Sequence, residues 1–212
     1  MICVSLSGLT YQECINAIGK SEYAEVRMDL LDLSDSQLQG LFSIKQKTVA
    51  TCRPGKHDTH ERLRLLKSAI DAGAGYVDIE FEAEELYREE LTNYAHEKGK
   101  KVILSYHNFE MTPSAEELQE IILKSRSMGC DIVKIATMAN SGRDNSVVLS
   151  LYKDFDNIIA FCMGKKGMIS RVAAPLLGAE FTFAALSSRN ATAPGQFTRE
   201  ELLDIFDFFD YD

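Results

Sequence analysis

The sequence predicts a (β/α)8 TIM barrel, an α/β fold in which strand and helix alternate eight times along a chain of 212 residues. Three observations carry that expectation. Short β-branched runs alternate with longer segments of helical periodicity from end to end. The length suits one domain with a sizeable core (read here as residues 1–212) and falls short of the usual two. Charged residues recur at every second position of several strands, so each set shares one face that a barrel interior can collect. The alternative is a doubly wound open sheet. It calls for a Gly-rich phosphate turn after its first strand, and LSGLT (6–10) is a poor one.

In chain order, the strand-like runs are ICVSLS (2–7), AEVRMDL (24–30), TVATCR (48–53), YVDIEF (76–81), KVILSYH (101–107), DIVKIAT (131–137), IIAFCM (158–163) and FTFAAL (181–186). The helix candidates between and after them are 10–19, 35–43, 59–73, 84–98, 114–128, 144–155, 167–177 and 199–210. Several carry end signals. Thr112-Pro113-Ser114 precedes AEEL, with acids in the first turn. Thr198 precedes REELLDIF with Glu201 three residues on, a capping-box spacing. Gly73, Gly99 and Gly129 each follow a helix end, where a left-handed C-cap wants glycine.

Composition narrows the function. The chain is 45% hydrophobic and 26% charged, ordinary for a soluble globular protein. Its formal net charge of -9 repels phosphate backbones and argues against nucleic-acid partners, while allowing a local basic pocket for a small anion. No apolar run approaches a membrane span. MICVSLSGLTYQE has no basic leader region, so the expectation is a first strand, no membrane and a cytoplasmic protein. The five cysteines form no C-x-x-C pair and read as small buried residues in a reducing compartment.

The strand alternation supplies the candidate chemistry. Glu25, Arg27 and Asp29 share one face of the second strand, with Val26, Met28 and Leu30 on the other. Asp78 and Glu80 share a face of the fourth. Thr51 and Arg53 close the third strand at i, i+2, and Ser105 and His107 close the fifth the same way. Lys134 falls in phase with Ile132 and Ala136 on the sixth. In a barrel both faces are covered, so these charges need partners. Active sites of such barrels lie at the C-terminal strand ends, where Arg53, Glu80 and His107 fall. A buried amine beside other cations becomes a nucleophile toward carbonyls, which makes Lys134 a candidate; a structural ion-pair network stays open on this pattern alone.

Seven stretches go further together than any does singly: EVRMD (25–29), TCR (51–53), VDIE (77–80), SYHNF (105–109), VKIATM (133–138), MGKKGMISR (163–171) and ATAPGQ (191–196). In this order and spacing they resemble the type I 3-dehydroquinate dehydratases, over essentially the whole chain. The resemblance implies conversion of 3-dehydroquinate to 3-dehydroshikimate and water, a step of the shikimate pathway to the aromatic amino acids, with no metal and no cofactor. It implies that Lys134 forms an imine with the substrate ketone and that His107 is general base, then general acid. Glu80 would hydrogen-bond His107 and orient it. Arg171 would clamp the substrate carboxylate, assisted by Thr192 and Gln196. Glu25, Arg27 and Arg53 would hold hydroxyls and balance charge. The 187–196 segment resembles the family's closing loop, which keeps water from the imine. A homodimer is also implied. Two departures stand out. The family usually has serine where Thr192 stands. Many members also begin with a β-hairpin that plugs the barrel bottom, which is lacking here, so the bottom is expected to be covered otherwise or left more open.

Competing readings are another imine-forming barrel lyase of the class I aldolase type, and a non-catalytic barrel that binds a small carboxylate. The first shares the lysine but does not account for the His107 motif and ATAPGQ together. Other features are set aside. His57 and His60 lack further metal ligands. EAEELYREE (82–90) reads as a solvated helix face, and FDFFDY (206–211) as core packing of the last helix. MGKKG (163–167) lacks P-loop spacing.

Overall fold

Alternation decides which way each strand residue points. In the computed structural model, which describes residues 1–44 and 47–209, the first strand β1 (Ile2–Leu6) turns Ile2, Val4 and Leu6 outward into a large apolar cluster under the helices. Cys3 packs into a second cluster inside the barrel. The same division runs through β2 (Tyr23–Arg27), β3 (Thr48–Thr51), β4 (Tyr76–Glu80), β5 (Lys101–Asn108), β6 (Ile132–Met138), β7 (Ile158–Met163) and β8 (Thr182–Ala185). Strands buried on both faces stay largely apolar outward, where the polar exceptions include the threonines Thr48, Thr137 and Thr182, and the charged strand residues all take the inward phase.

The strands are parallel and ordered β7-β6-β5-β4-β3-β2-β1-β8. First pairs with last, as barrel closure requires and an open doubly wound sheet does not. One seam is different. Among the described residues no strand ladder joins β7 to β8; inward rings meet there instead, Phe161 against Phe183 with centroids 6.3 Å apart.

Helices α1 (Tyr11–Lys20), α2 (Asp35–Ile44), α3 (Thr59–Ala72), α4 (Glu85–Glu97), α5 (Ala115–Ser127), α6 (Asp144–Ser150), α7 (Met168–Leu176) and α8 (Arg199–Phe208) cover the outside. Both expected N-terminal signals are real: Ser114 with Glu117, and Thr198 with Glu201, make reciprocal capping boxes. Thr10 and Glu13 make a third, at the same spacing, that was not anticipated. Each is worth about 1 kcal/mol of helix stability. Gly73 caps α3 with a left-handed backbone, φ 118°.

Three expectations need correction. The second strand stops at Arg27, not Leu30, because Met28 and Leu30 donate backwards to Val26 and Arg27 in a tight turn. Leu30 is consequently exposed, and Asp29 lies beyond the ladder. The sixth helix ends at Ser150 and tightens into a 3-10 turn over Leu151–Lys153. Finally, of the aromatics in 206–211 only Phe206 packs in the core; Phe208 and Phe209 are exposed, and Tyr211, like Asp210 at the end of the expected last helix, lies outside the described residues.

The barrel bottom is filled by a ring layer. Tyr23, Tyr76 and Phe181 pack with centroids 4.9–6.1 Å apart. The Tyr76 hydroxyl donates to Glu180, and the Lys47 ammonium lies 4.7 Å from the Tyr23 ring centroid. With this end stopped, the interior opens at the C-terminal strand ends.

Candidate active site

The register of the strands brings the inward polar residues to one level. Ser105 pairs with Lys134 across β5 and β6, Glu80 with Ser105 across β4 and β5, and Ser5 with Glu25 across β1 and β2. Above them is a cavity of about 520 Å³. Every site residue expected from the sequence lines it: Glu25, Arg27, Arg53, Glu80, His107, Lys134, Arg171, Thr192 and Gln196.

Lys134 is 5% exposed and is the sole lysine among the lining residues. Its Nζ donates to Asp78 Oδ2 at 3.2 Å, lies 3.9 Å from Glu25 Oε1, and rests 4.1 Å from the centroid of Phe183. Both carboxylates are firmly held. Glu25 accepts from Ser5 Oγ at 2.7 Å and Thr51 Oγ1 at 3.0 Å. Asp78 accepts from Ser105 Oγ at 2.6 Å and Arg53 Nη2 at 2.8 Å. Burial raises the Asp78 carboxyl pKa, but Arg53 and Lys134 outweigh it and hold the group well below the usual carboxylate range. Asp78 carried no expected role of its own. The inward phase of YVDIE was its signal.

His107 stands at the cavity wall, its ring stacked on Phe109 at 5.9 Å and 10° between planes. Burial, then the charges of Lys134 and Arg53, push its pKa down to about 2, so the imidazole is neutral across the ordinary pH range. The expected Glu80–His107 hydrogen bond is not made. Glu80 Oε2 accepts from Arg62 Nη2 at 2.6 Å, and Oε1 faces Arg53 Nη1 at 3.0 Å. Two guanidinium groups outcompete a neutral imidazole for one carboxylate. Arg62 was missed because it comes from α3, outside the strands. Its signal was its phase, since residues 62, 65, 66, 69 and 70 form the buried face of that helix. Arg27 is likewise taken, bidentate on Asp29 at 2.6 and 3.0 Å.

Arg171 differs from every other cation here. It is 1% exposed, its Nε and Nη2 have no hydrogen-bond partner, and no carboxylate of the described residues pairs with it. Its guanidinium carbon lies 4.3 Å from the Phe161 ring centroid. Burial lowers its pKa to about 10. An unpaired buried guanidinium is costly to the fold and is able to receive an anion. Lining the same cavity, Gln196 Oε1 accepts from Thr192 N at 2.8 Å and Thr192 Oγ1 at 3.2 Å. Because the carbonyl end is taken by an N–H donor, the amide NH2 is the end left to donate.

Exchanging Arg171 for methionine is therefore expected to stabilise the ligand-free protein by on the order of 1 kcal/mol or more, read as a higher melting temperature, while raising KM roughly tenfold to a hundredfold. Thermal unfolding and steady-state kinetics check the two arms; a less stable variant with unchanged KM contradicts the anion assignment.

Comparison with known proteins finds relatives over nearly the whole chain. The family model for type I 3-dehydroquinase matches residues 2–211. The 3-dehydroquinate dehydratase of Pyrococcus abyssi is 37% identical over 210 residues, covering 95% of each chain. That of Desulfotalea psychrophila is 35% identical over 218 residues, covering 97% of this chain and 96% of the relative. Among solved structures, the type I 3-dehydroquinate dehydratase of Clostridium difficile with covalently modified comenic acid superposes with a TM-score of 0.85 at 26% identity, over 98% of this chain and 91% of that one.

Proposed function

The chain belongs to the type I 3-dehydroquinase family, and on that premise we propose that it dehydrates 3-dehydroquinate to 3-dehydroshikimate through an imine on Lys134. The observation that carries the reading is the cavity itself. It presents one buried amine, one neutral imidazole and one unpaired guanidinium to the same space.

The chemistry follows from what each group can do. Arg171, with the free amide of Gln196, takes the substrate carboxylate. That fixes the ring so that its ketone meets Lys134 Nζ. The amine adds to the carbonyl, water leaves, and the protonated imine withdraws electrons from the neighbouring C–H bond. His107 starts neutral, so it can accept that proton, and the imidazolium it becomes can return the proton to the departing hydroxyl. The proton taken from carbon leaves in the product water, and His107 ends neutral as it began. Hydrolysis of the imine then frees Lys134. Asp78 and Glu25 supply the negative charge beside the cationic imine. Arg27, Arg53 and Glu80 form a fixed polar wall toward the ring hydroxyls. In this reading the reaction serves the shikimate route to the aromatic amino acids.

Mixing the protein with 3-dehydroquinate and borohydride, followed by peptide mass spectrometry, tests the proposal. The expected result is a reduced covalent adduct on Lys134. A folded protein that turns over substrate with no adduct would exclude the imine.

A further inference from the structure

The 191–196 segment crosses the cavity at the barrel's one unladdered seam. At its leading end Asn190 is pinned to the β1 end: its Nδ2 donates to Ser7 O, its own C=O accepts from Ser7 Oγ, both at 2.9 Å, and its Oδ1 accepts from Ser187 Oγ at 2.6 Å. At the trailing end Ala185 N donates to Phe197 O at 2.8 Å, and Thr198 begins α8. Between these pins the segment has internal hydrogen bonds: Thr192 N and Oγ1 donate to Gln196 Oε1, and Gln196 N donates to Ala193 O. Among the described residues it has a single hydrogen bond to the rest of the barrel: Gly164 N–H to Pro194 C=O, 2.9 Å. Gly164 directly follows β7, so this bond crosses from the β7 end to the loop after β8.

Two glycines make that bond possible. Gly164 and Gly195 have φ of 80° and 70°, a region where side chains are disfavoured. A Cβ on Gly195 would sit 2.5 Å from the Gly164 carbonyl oxygen and 2.7 Å from its carbonyl carbon. Those are backbone atoms and cannot swing aside. The two main chains touch, and any side chain at 195 would part them.

We propose that Gly164 and Gly195 form a backbone latch that holds the 191–196 segment shut over the cavity, and that Gly195 is thereby a positioning residue for Thr192 and Gln196. The latch closes the barrel where strand pairing does not. With one hydrogen bond between two firm pins, the segment opens at the latch and swings about Asn190 and Phe197, admitting substrate without disturbing a strand. The kinetic consequence rests on the proposed activity; the latch itself does not.

The test compares the wild-type protein with Gly195→Ala and Gly178→Ala by amide hydrogen exchange, read by NMR without substrate, and by kinetics with 3-dehydroquinate. Gly178 also has positive φ, 109°, but a Cβ there meets nothing within 4 Å, so it isolates the effect of backbone strain. In the wild type the Gly164 amide is expected to exchange slowly. In Gly195→Ala it should exchange at least roughly tenfold faster while the β1–β8 amides keep their protection. KM should rise about tenfold or more with a smaller change in kcat. Gly178→Ala should change neither. Rapid exchange at Gly164 in the wild type overturns the latch even if Gly195→Ala does not fold. So does wild-type behaviour of Gly195→Ala, or the same change in Gly178→Ala. Because exchange is read without substrate, a wild-type protein inert toward 3-dehydroquinate would count against the activity and leave the latch to be decided by exchange.

Discussion

Lys134→Met is expected to lose turnover by at least about 10⁴-fold and to yield no borohydride-trapped adduct, while remaining folded. Among the described residues no other lysine lines the cavity, so none there replaces the nucleophile. The fold survives because the two carboxylates beside the amine are not orphaned. Asp78 keeps Arg53 and Ser105, and Glu25 keeps Ser5 and Thr51. Breaking a buried ion pair outright costs about 3–5 kcal/mol when it leaves a bare charge. With those partners in place the loss should be smaller, about 1–3 kcal/mol. Methionine also matches the length of the lysine stem and can keep the contact with Phe183. Circular dichroism and thermal unfolding establish that the variant is folded, and mass spectrometry then reads the adduct. An adduct that persists on another residue would remove Lys134 from the chemistry.

The barrel was legible in the sequence because a strand buried on both faces leaves charges no solvent to hide in. Glu25, Asp78 and Lys134, each in phase with apolar interior neighbours, announce a polar interior through alternation alone. What alternation cannot encode is which carboxylate meets which cation. That depends on the stagger between strands. Ser105 pairs with Lys134, and Asp78, two residues before Glu80 on β4, becomes the lysine's closer partner. Glu80 sits one step higher, where Arg62 arrives from a helix the strand pattern never mentions. The end of β2 was misjudged for a local reason: AEVRMDL alternates smoothly through a point where the backbone already turns. Within ATAPGQ the residue types point to hydrogen bonding. That Gln196 would direct its carbonyl at Thr192, leaving its NH2 end to donate, depends on the loop's folded shape.

Replacing His107 with alanine separates proton transfer from imine formation. The Lys134 adduct should still be trapped, because the amine and its carboxylate partners are untouched. Turnover should fall by about 10²–10⁴-fold, the usual contribution of a general base. Unchanged turnover would take His107 out of the mechanism. The pH dependence gives a second, independent reading. In the native protein burial first, then Lys134 and Arg53, hold the His107 pKa far below the ordinary value of 6.5. The free enzyme therefore keeps its base, and kcat/KM should show no acidic limb near 6.5 from this residue. The same displacement fixes a sign for stability. Between the native and the unfolded pKa the unfolded chain binds a proton that the folded one refuses. The contribution of His107 is thus intact above 6.5 and is lost as pH falls below it. Alanine carries no such proton. The melting temperature of His107→Ala relative to the wild type should therefore rise as pH is lowered from about 7 to about 4. A constant difference over that range would mean that the ring takes up its proton at the same pH in the folded and unfolded states.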